Sequence, residues 1–431
     1  MQPCTTEPAG ALALLGHVVE VALAEVYVEY VVFTLVMIVL LSRLNASPTN
    51  WMYIFSWMGT LRVMRKSKSL NPGPMMLLRP IWGGRPVVGA PEEELMGSSV
   101  ITKPGNRENA TMLSRVADSL YWMSRYLERA ENTVRQLDVT MSLMLDPGGA
   151  SAETRWARLV SVLGDSEGLE WNGDLESMAR TLIFDSVNRF AVTFCVNGAR
   201  ENARQVREEI STEQWQRLNR LYHQIRSPQA EDQFHTNLND FLASIVDGIH
   251  LFKGVSDTTM IHGQGWQFIR LGRYLERAYA TATLLEVYQP DLFCAPEREH
   301  SGVQYLEQVG LLRCCTAFEA YCQVYTADMS ADRILEFLLL NRDFPHAIRY
   351  SVDSIMSSVE AIQRSGARRP PEELSAGIGR LHAMLGYTTI HEILSGNPGA
   401  FLHSIRQQCM RIHELVYRYY VHYSFQSALA I

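Results

Sequence analysis

Six residues, Arg125-Tyr126-Leu127-Glu128-Arg129-Ala130, recur letter for letter as Arg273-Tyr274-Leu275-Glu276-Arg277-Ala278, an offset of 148 residues. The flanks agree in character: Met123 matches Leu271, Val134 matches Ala282, Leu137 matches Leu285 and Val139 matches Val287. A repeat at this spacing predicts two diverged copies of one unit, able to pack about a pseudo-two-fold axis and bring equivalent segments side by side. Asn188-Arg189 and Asn341-Arg342, offset by 153, are read as a second matching pair.

The repeated unit is helical. Val116, Leu120, Met123, Leu127, Ala130, Val134, Leu137 and Met141 follow three- and four-residue steps in a single apolar stripe, and Pro147-Gly148-Gly149 ends the run. Further amphipathic runs are expected at 174–193, 197–209, 212–226, 231–252, 265–288, 301–325, 330–340, 346–365, 371–386 and 398–425, with breaks such as Gln289-Pro290 and Asn397-Pro398-Gly399. No β-branched run of period two is long enough to propose a sheet. The expected fold is an all-α, multi-helix bundle, with repeat one at about 112–255 and repeat two at about 260–425.

The first 111 residues are a different kind of sequence. They contain no aspartate and hold nine of the seventeen prolines and three of the four lysines, so that Lys253 is the single lysine from Met112 onward. An apolar stretch at 22–41 has the length of a bilayer span, but Glu25 and Glu29 lie inside it, and each disfavours insertion by about 2–3 kcal/mol near the centre of a span. Residues 69–110 lack periodicity. The expectation is a poorly ordered extension, not part of the functional protein, and no membrane anchor. The formal net charge of -7 gives no case for nucleic-acid binding. The seven cysteines form no CxxC pair and no zinc-type spacing, so buried thiols, a cytoplasmic setting, no metal and no cofactor are expected.

Helical geometry, at about 100° per residue, places Arg125 and Arg129 opposite Leu127 and Glu128 about a quarter-turn away. Arg273, Arg277 and Glu276 stand likewise around Leu275. The polar face also carries Trp122 in the first copy and Trp266 in the second, which argues that part of it is covered. Three readings compete. Helix-surface ion pairs would account for some of the charge; a buried Arg-Glu network would fix how the copies dock; and an arginine-lined pocket, with Glu128 and Glu276 orienting the guanidinium forks, would hold a carboxylate or phosphate. Glu128 and Glu276 acting as acid and base is a weaker fourth. Arg200, Arg204 and Arg207 read as a solvated face among glutamates, His262 as a capping or solvent-facing loop residue, and Cys314, Cys315 and Cys322 as core. His391, His403 and His413 lack the spacing of a metal site.

The run Met112-Leu-Ser-Arg-Val-Ala-Asp-Ser-Leu-Tyr-Trp-Met-Ser-Arg-Tyr-Leu-Glu-Arg-Ala-Glu-Asn132 resembles the amino terminus of the alpha-E family, an all-helical bacterial and archaeal family with a Glu-Arg motif. That motif falls on Glu128-Arg129, and Gly272-Arg-Tyr-Leu-Glu-Arg-Ala278 is similar to the family's second Glu-Arg element. The likeness covers 112 to about 425. It implies a helical component of a peptide synthesis or modification system, since such proteins are typically encoded beside an ATP-grasp-type ligase and a transglutaminase-like peptidase. The cluster would bind a partner protein or an anionic peptide or phosphate ligand. A stand-alone helical enzyme acting on a peptide or aminoacyl substrate and a purely structural scaffold are the alternatives. Met260-Ile-His-Gly-Gln-Gly-Trp266 departs from the family, which usually has an acidic stretch before the Gly-Trp.

Overall fold

The computed structural model describes residues 112–421 apart from 113, 147–149, 165–168, 294–301, 327 and 366–371. The expected extension, 1–111 with its apolar stretch at 22–41, lies outside the described residues. Within them the chain is all-helical and has no strand. Seven helices, α1 (Ser114–Met144), α2 (Ala152–Leu163), α3 (Leu175–Phe184), α4 (Val192–Gln205), α5 (Thr212–Ile225), α6 (Pro228–Thr236) and α7 (Leu238–Thr259), have lengths of 31, 12, 10, 14, 14, 9 and 22 residues. Eight follow: α8 (Gln264–Phe293), α9 (Gly302–Cys314), α10 (Phe318–Tyr325), α11 (Ala331–Leu340), α12 (Ile348–Arg364), α13 (Glu372–Tyr387), α14 (Ile390–Ser395) and α15 (Pro398–Val416). Their lengths are 30, 13, 8, 10, 17, 16, 6 and 19 residues. With α10 set aside, the second series repeats the order of long and short helices in the first. A π-helical turn at Tyr417–Val421 continues α15.

The long helices α1 and α8 cross at the centre, and the others are laid around them. α4 packs on α1, and α12 packs on α8. α2 reaches over to α8, while α9 reaches back to α1. This cross-over is tied by Arg155 and Arg158 of α2, which hold Glu307 of α9 at 2.9 Å and 2.6 Å. The crossing point is Gly272 against Ser124. A Cβ on Gly272 would lie 2.4 Å from the Tyr121 carbonyl oxygen, so only glycine lets α8 come this close. The apolar stripe of α1 is buried as expected, with Leu120, Met123, Ala130 and Leu137 all fully enclosed. Its opposite face is buried too, because Arg125, Glu128 and Glu131 are covered by α8, α7 and α15.

Several expected boundaries move. The run at 174–193 is split at 185–191, where Asp185 accepts backbone hydrogen bonds from Val187 and Asn188 at 2.7 and 3.3 Å and turns the chain. The run at 231–252 divides at Asn237, whose side chain caps α7 at Asp240 N, 3.3 Å. The run at 301–325 breaks at Thr316, which adopts a left-handed φ of 52°. Helix α2 was not expected, yet Ser151 caps it at Thr154 N. Pro290 does not end α8: it sits in the last turn, where its missing N–H forfeits only one bond.

Two local structures recur in detail. Asn341 accepts from Asp343 and Phe344, both at 2.9 Å, as Asp185 does from Val187 and Asn188. Thr133 Oγ1 of α1 donates to the Phe190 carbonyl at 3.0 Å, and Thr281 Oγ1 of α8 to the His346 carbonyl at 3.3 Å. These loops match at an offset of 156, not the 153 suggested by Asn188-Arg189 and Asn341-Arg342. Asn237 and Asn397 likewise cap α7 and α15, an offset of 160.

Candidate functional site

One turn beyond the Gly272 crossing, the two repeated hexapeptides face each other and exchange ion pairs. Arg129 Nε of α1 lies 2.7 Å from Glu276 Oε1 of α8, and Arg277 Nε of α8 lies 2.5 Å from Glu128 Oε1 of α1. The positions are reciprocal at the offset of 148. Each carboxylate holds a further cation on its other oxygen. For Glu276 it is Arg125, whose Nε and one terminal nitrogen both stand 2.6 Å from Oε2. For Glu128 it is Lys253 of α7, 2.5 Å from Oε2, which also pairs with Glu131. Glu131 is completed by Arg135 and His250, each at 2.9 Å.

The sequence pattern that defines Alpha-E, a predicted alpha-helical domain with a conserved ER motif, matches residues 112–421. The chain belongs to the Alpha-E family. Curated relatives include an uncharacterised protein of Mycobacterium bovis and uncharacterised proteins of two Mycobacterium tuberculosis strains. Each is 22% identical over 321 residues, covering 69% of this chain and 34% of the relative. The chain thus spans about a third of the length of the curated relatives it matches. No solved structure matches.

In this Alpha-E body the Glu-Arg pairs are buried, and their charge states follow from that. Burial pushes the Glu276 carboxyl up, but Arg125 and Arg129 outweigh it and hold the pKa at about 2. Glu128 is likewise pushed up by burial and brought down to about 2 by Arg277 and Lys253. Neither carboxylate holds a proton at neutral pH, so neither can serve there as a general acid, and both are fully engaged as acceptors. Beside Glu128 and Arg277 a cavity of ≈ 20 Å³ is lined by Glu131, Arg135, His346 and Cys315 among others, which is room for one water and not for a peptide. Burial, reinforced by Arg277, lowers the His346 pKa to about 3, and burial raises the Cys315 thiol to about 12. At neutral pH His346 is therefore neutral and Cys315 stays a thiol. Among the described residues no group of His, Cys, Asp and Glu could hold a metal ion.

The sequence-selected residues separate into two places. Arg125, Glu128, Arg129, Glu276 and Arg277 meet in the central network. Trp122 stands at its edge, 4.9 Å under the Arg125 guanidinium and edge-on to His413. Arg273 turns away toward Asp257 at 3.7 Å, and Trp266 goes with it, donating from Nε1 to Asp257 at 3.3 Å. His262 stacks on Trp266 with ring centroids 3.9 Å apart.

Several members of the network did not come from the motif, Lys253, Glu131 and His413 among them. Lys253 had a signal, as the single lysine after Met112. Glu131 lies one turn beyond Glu128. His413 of α15 accepts from Arg125 at 2.8 Å and bonds the Tyr121 hydroxyl at 2.8 Å, and burial followed by the Arg125 charge lowers its pKa to about 4. Nothing in its spacing marked it. Arg200 and Arg207 are not simply solvated: both lie over the Trp215 ring, and Arg200 also covers Tyr222 at 4.4 Å. Arg204, exposed and paired with Glu201, fits the surface reading.

Proposed function

We propose that this Alpha-E body is a non-catalytic helical component of a cytoplasmic peptide synthesis or modification system, made of two diverged helical copies about a pseudo-two-fold axis, with the Glu-Arg motif as the lock between them. The observation that carries this reading is the reciprocal exchange of Arg129 with Glu276 and Arg277 with Glu128, in which every motif carboxylate is spent on internal cations. The repeated order of helix lengths, the matching loops at 185–191 and 341–347, and the paired caps at Asn237 and Asn397 support the duplication. The length of the mycobacterial relatives supports a component role, because there the matched region is one part of a chain about three times as long.

The partners in this reading are an ATP-grasp-type ligase and a transglutaminase-like peptidase. Affinity capture of the tagged full chain, mixed with each purified candidate, should recover a stoichiometric complex, with no turnover by the chain alone. Conversion of a peptide or aminoacyl substrate by the purified chain would replace this reading with that of a stand-alone enzyme, and absence of any complex would leave a structural scaffold. A second reading, capture of an anionic peptide or phosphate ligand, is favoured at one motif residue, Arg273, which the lock does not use.

A further inference from the structure

Arg125 and Arg273 occupy the same position of the repeated hexapeptide and are equally buried, each with a side chain 10% exposed. Arg125 is closed on all sides by Glu276, His413 and Tyr121. Arg273 has one ion pair among the described residues, to Asp257 at 3.7 Å, beyond hydrogen-bond reach. The cause lies on α7. Lys253 takes Glu128, the carboxylate reciprocal to the one that clamps Arg125, and so leaves Arg273 without a carboxylate from the motif. Asp257, one turn further along α7, is 46% exposed and bonded to Trp266 Nε1, so its charge is shared with solvent and the indole.

The surroundings add a second cation and a flat wall. Arg270 is one turn from Arg273 on α8, on the same side of the helix. It lies over the Trp266 ring at 5.0 Å and the Tyr274 ring at 5.6 Å. Two guanidiniums are therefore linked at the junction of α7 and α8 through the Trp266 indole and the half-exposed Asp257 carboxylate. A guanidinium so deeply buried with a single loose counter-ion is out of balance, and its planar fork is suited to two parallel bonds with an oxyanion.

We propose that Arg273 and Arg270, walled by Trp266, form a binding site for one carboxylate or phosphate group of a ligand, with Asp257 as the internal counter-ion that the ligand displaces. This deepens the reading of the chain as a binding component and rests on it, but it is independent of the lock. Asp257 lowers the apparent affinity by keeping the site partly self-paired, so removing its charge strengthens binding, an effect that a merely structural Arg273 would not produce.

Isothermal titration of the full chain with inorganic phosphate and, separately, with glutamate tests the site. Asp257→Asn should bind at least one of the two about tenfold more tightly than the natural chain, and Arg273→Gln should abolish that binding. Preference for phosphate or for glutamate assigns the ligand group. If Arg273→Gln fails to fold, Arg273→Lys keeps the charge without the fork and should still weaken binding. The proposal is overturned if Asp257→Asn binds neither probe at millimolar concentration, or if binding survives at Arg273→Lys unchanged. Melting of the Glu276 and Glu128 variants reads the lock and capture reads the partners, so either can fail separately from this titration.

Discussion

The two hexapeptides are identical in sequence and differ in what they touch. In the first, both arginines converge on Glu276, and His413 fills the space behind Arg125. In the second, only Arg277 enters the network, and Arg273 is left to Asp257. The difference originates outside the motif. Lys253 of α7 and His413 of α15 are 160 residues apart, the same offset as the capping residues Asn237 and Asn397. A lysine there competes for the motif's carboxylate, whereas a neutral histidine accepts from the motif's arginine. The outer arginine is thus enclosed where a histidine stands behind it and paired only with Asp257 where Lys253 holds the carboxylate.

The strongest way to break this comparison is to remove a carboxylate from each side. Glu276→Gln strands Arg125 and Arg129, and Glu128→Gln strands Arg277 while Lys253 keeps Glu131, so each should destabilise the fold by about 3–5 kcal/mol. Chemical denaturation of both variants checks this. If Glu128→Gln loses less than about 1 kcal/mol while Glu276→Gln loses the full amount, the lock is one-sided and the reciprocal geometry has no energetic counterpart.

The crossing that brings the two sides together gives the next largest effect. Gly272→Ala puts a methyl group against the Tyr121 carbonyl, a backbone atom that cannot turn aside, and should cost about 3 kcal/mol. At the facing position Ser124→Ala removes one hydroxyl, bonded to the Tyr121 carbonyl at 2.9 Å, and should cost about 1 kcal/mol. Equal and small losses at the two positions would mean that the helices can separate without consequence.

Much of this was legible from residues. The three- and four-residue steps marked α1 and α8 as helices, and a charged hexapeptide repeated beside tryptophans marked a covered polar face. Gly272, immediately before the second hexapeptide, was not marked as the crossing, because a lone glycine inside a helical run does not say which backbone approaches it. What was not legible depends on contacts between distant segments. The pairing of His413 with Arg125 spans 288 residues, and no local pattern encodes it. Letter identity also misled. Asn188-Arg189 matches Asn341-Arg342 on paper, but the backbone equates Asp185 with Asn341, because both offer a side-chain oxygen two residues before a free N–H. Helix α2 had a capping serine and the apolar steps Trp156, Leu159 and Leu163, a pattern short enough to pass for loop after Pro147-Gly148-Gly149.

A last prediction tests His413 by pH. His413 has a folded pKa of about 4, lowered by burial and by Arg125, against an ordinary histidine value near 6.5. As pH falls below about 6.5 the unfolded chain takes up a proton at this position before the folded chain does. Stability is therefore lost between about pH 6.5 and 4, and the glutamates with pKa values near 2 add their loss only below about 4.5. His413→Phe keeps an aromatic ring against Tyr121 and Trp122 and has nothing to protonate. Denaturation midpoints measured from pH 7 to pH 4.5 should fall less steeply for this variant than for the natural chain, although its stability at pH 7 is lower because Arg125 loses an acceptor. His346 titrates in the same direction and remains in both chains, so the difference between the slopes isolates His413. Identical slopes would mean that the ring behind Arg125 is protonated as readily folded as unfolded, and the contrast between the closed and the open arginine would then need another cause.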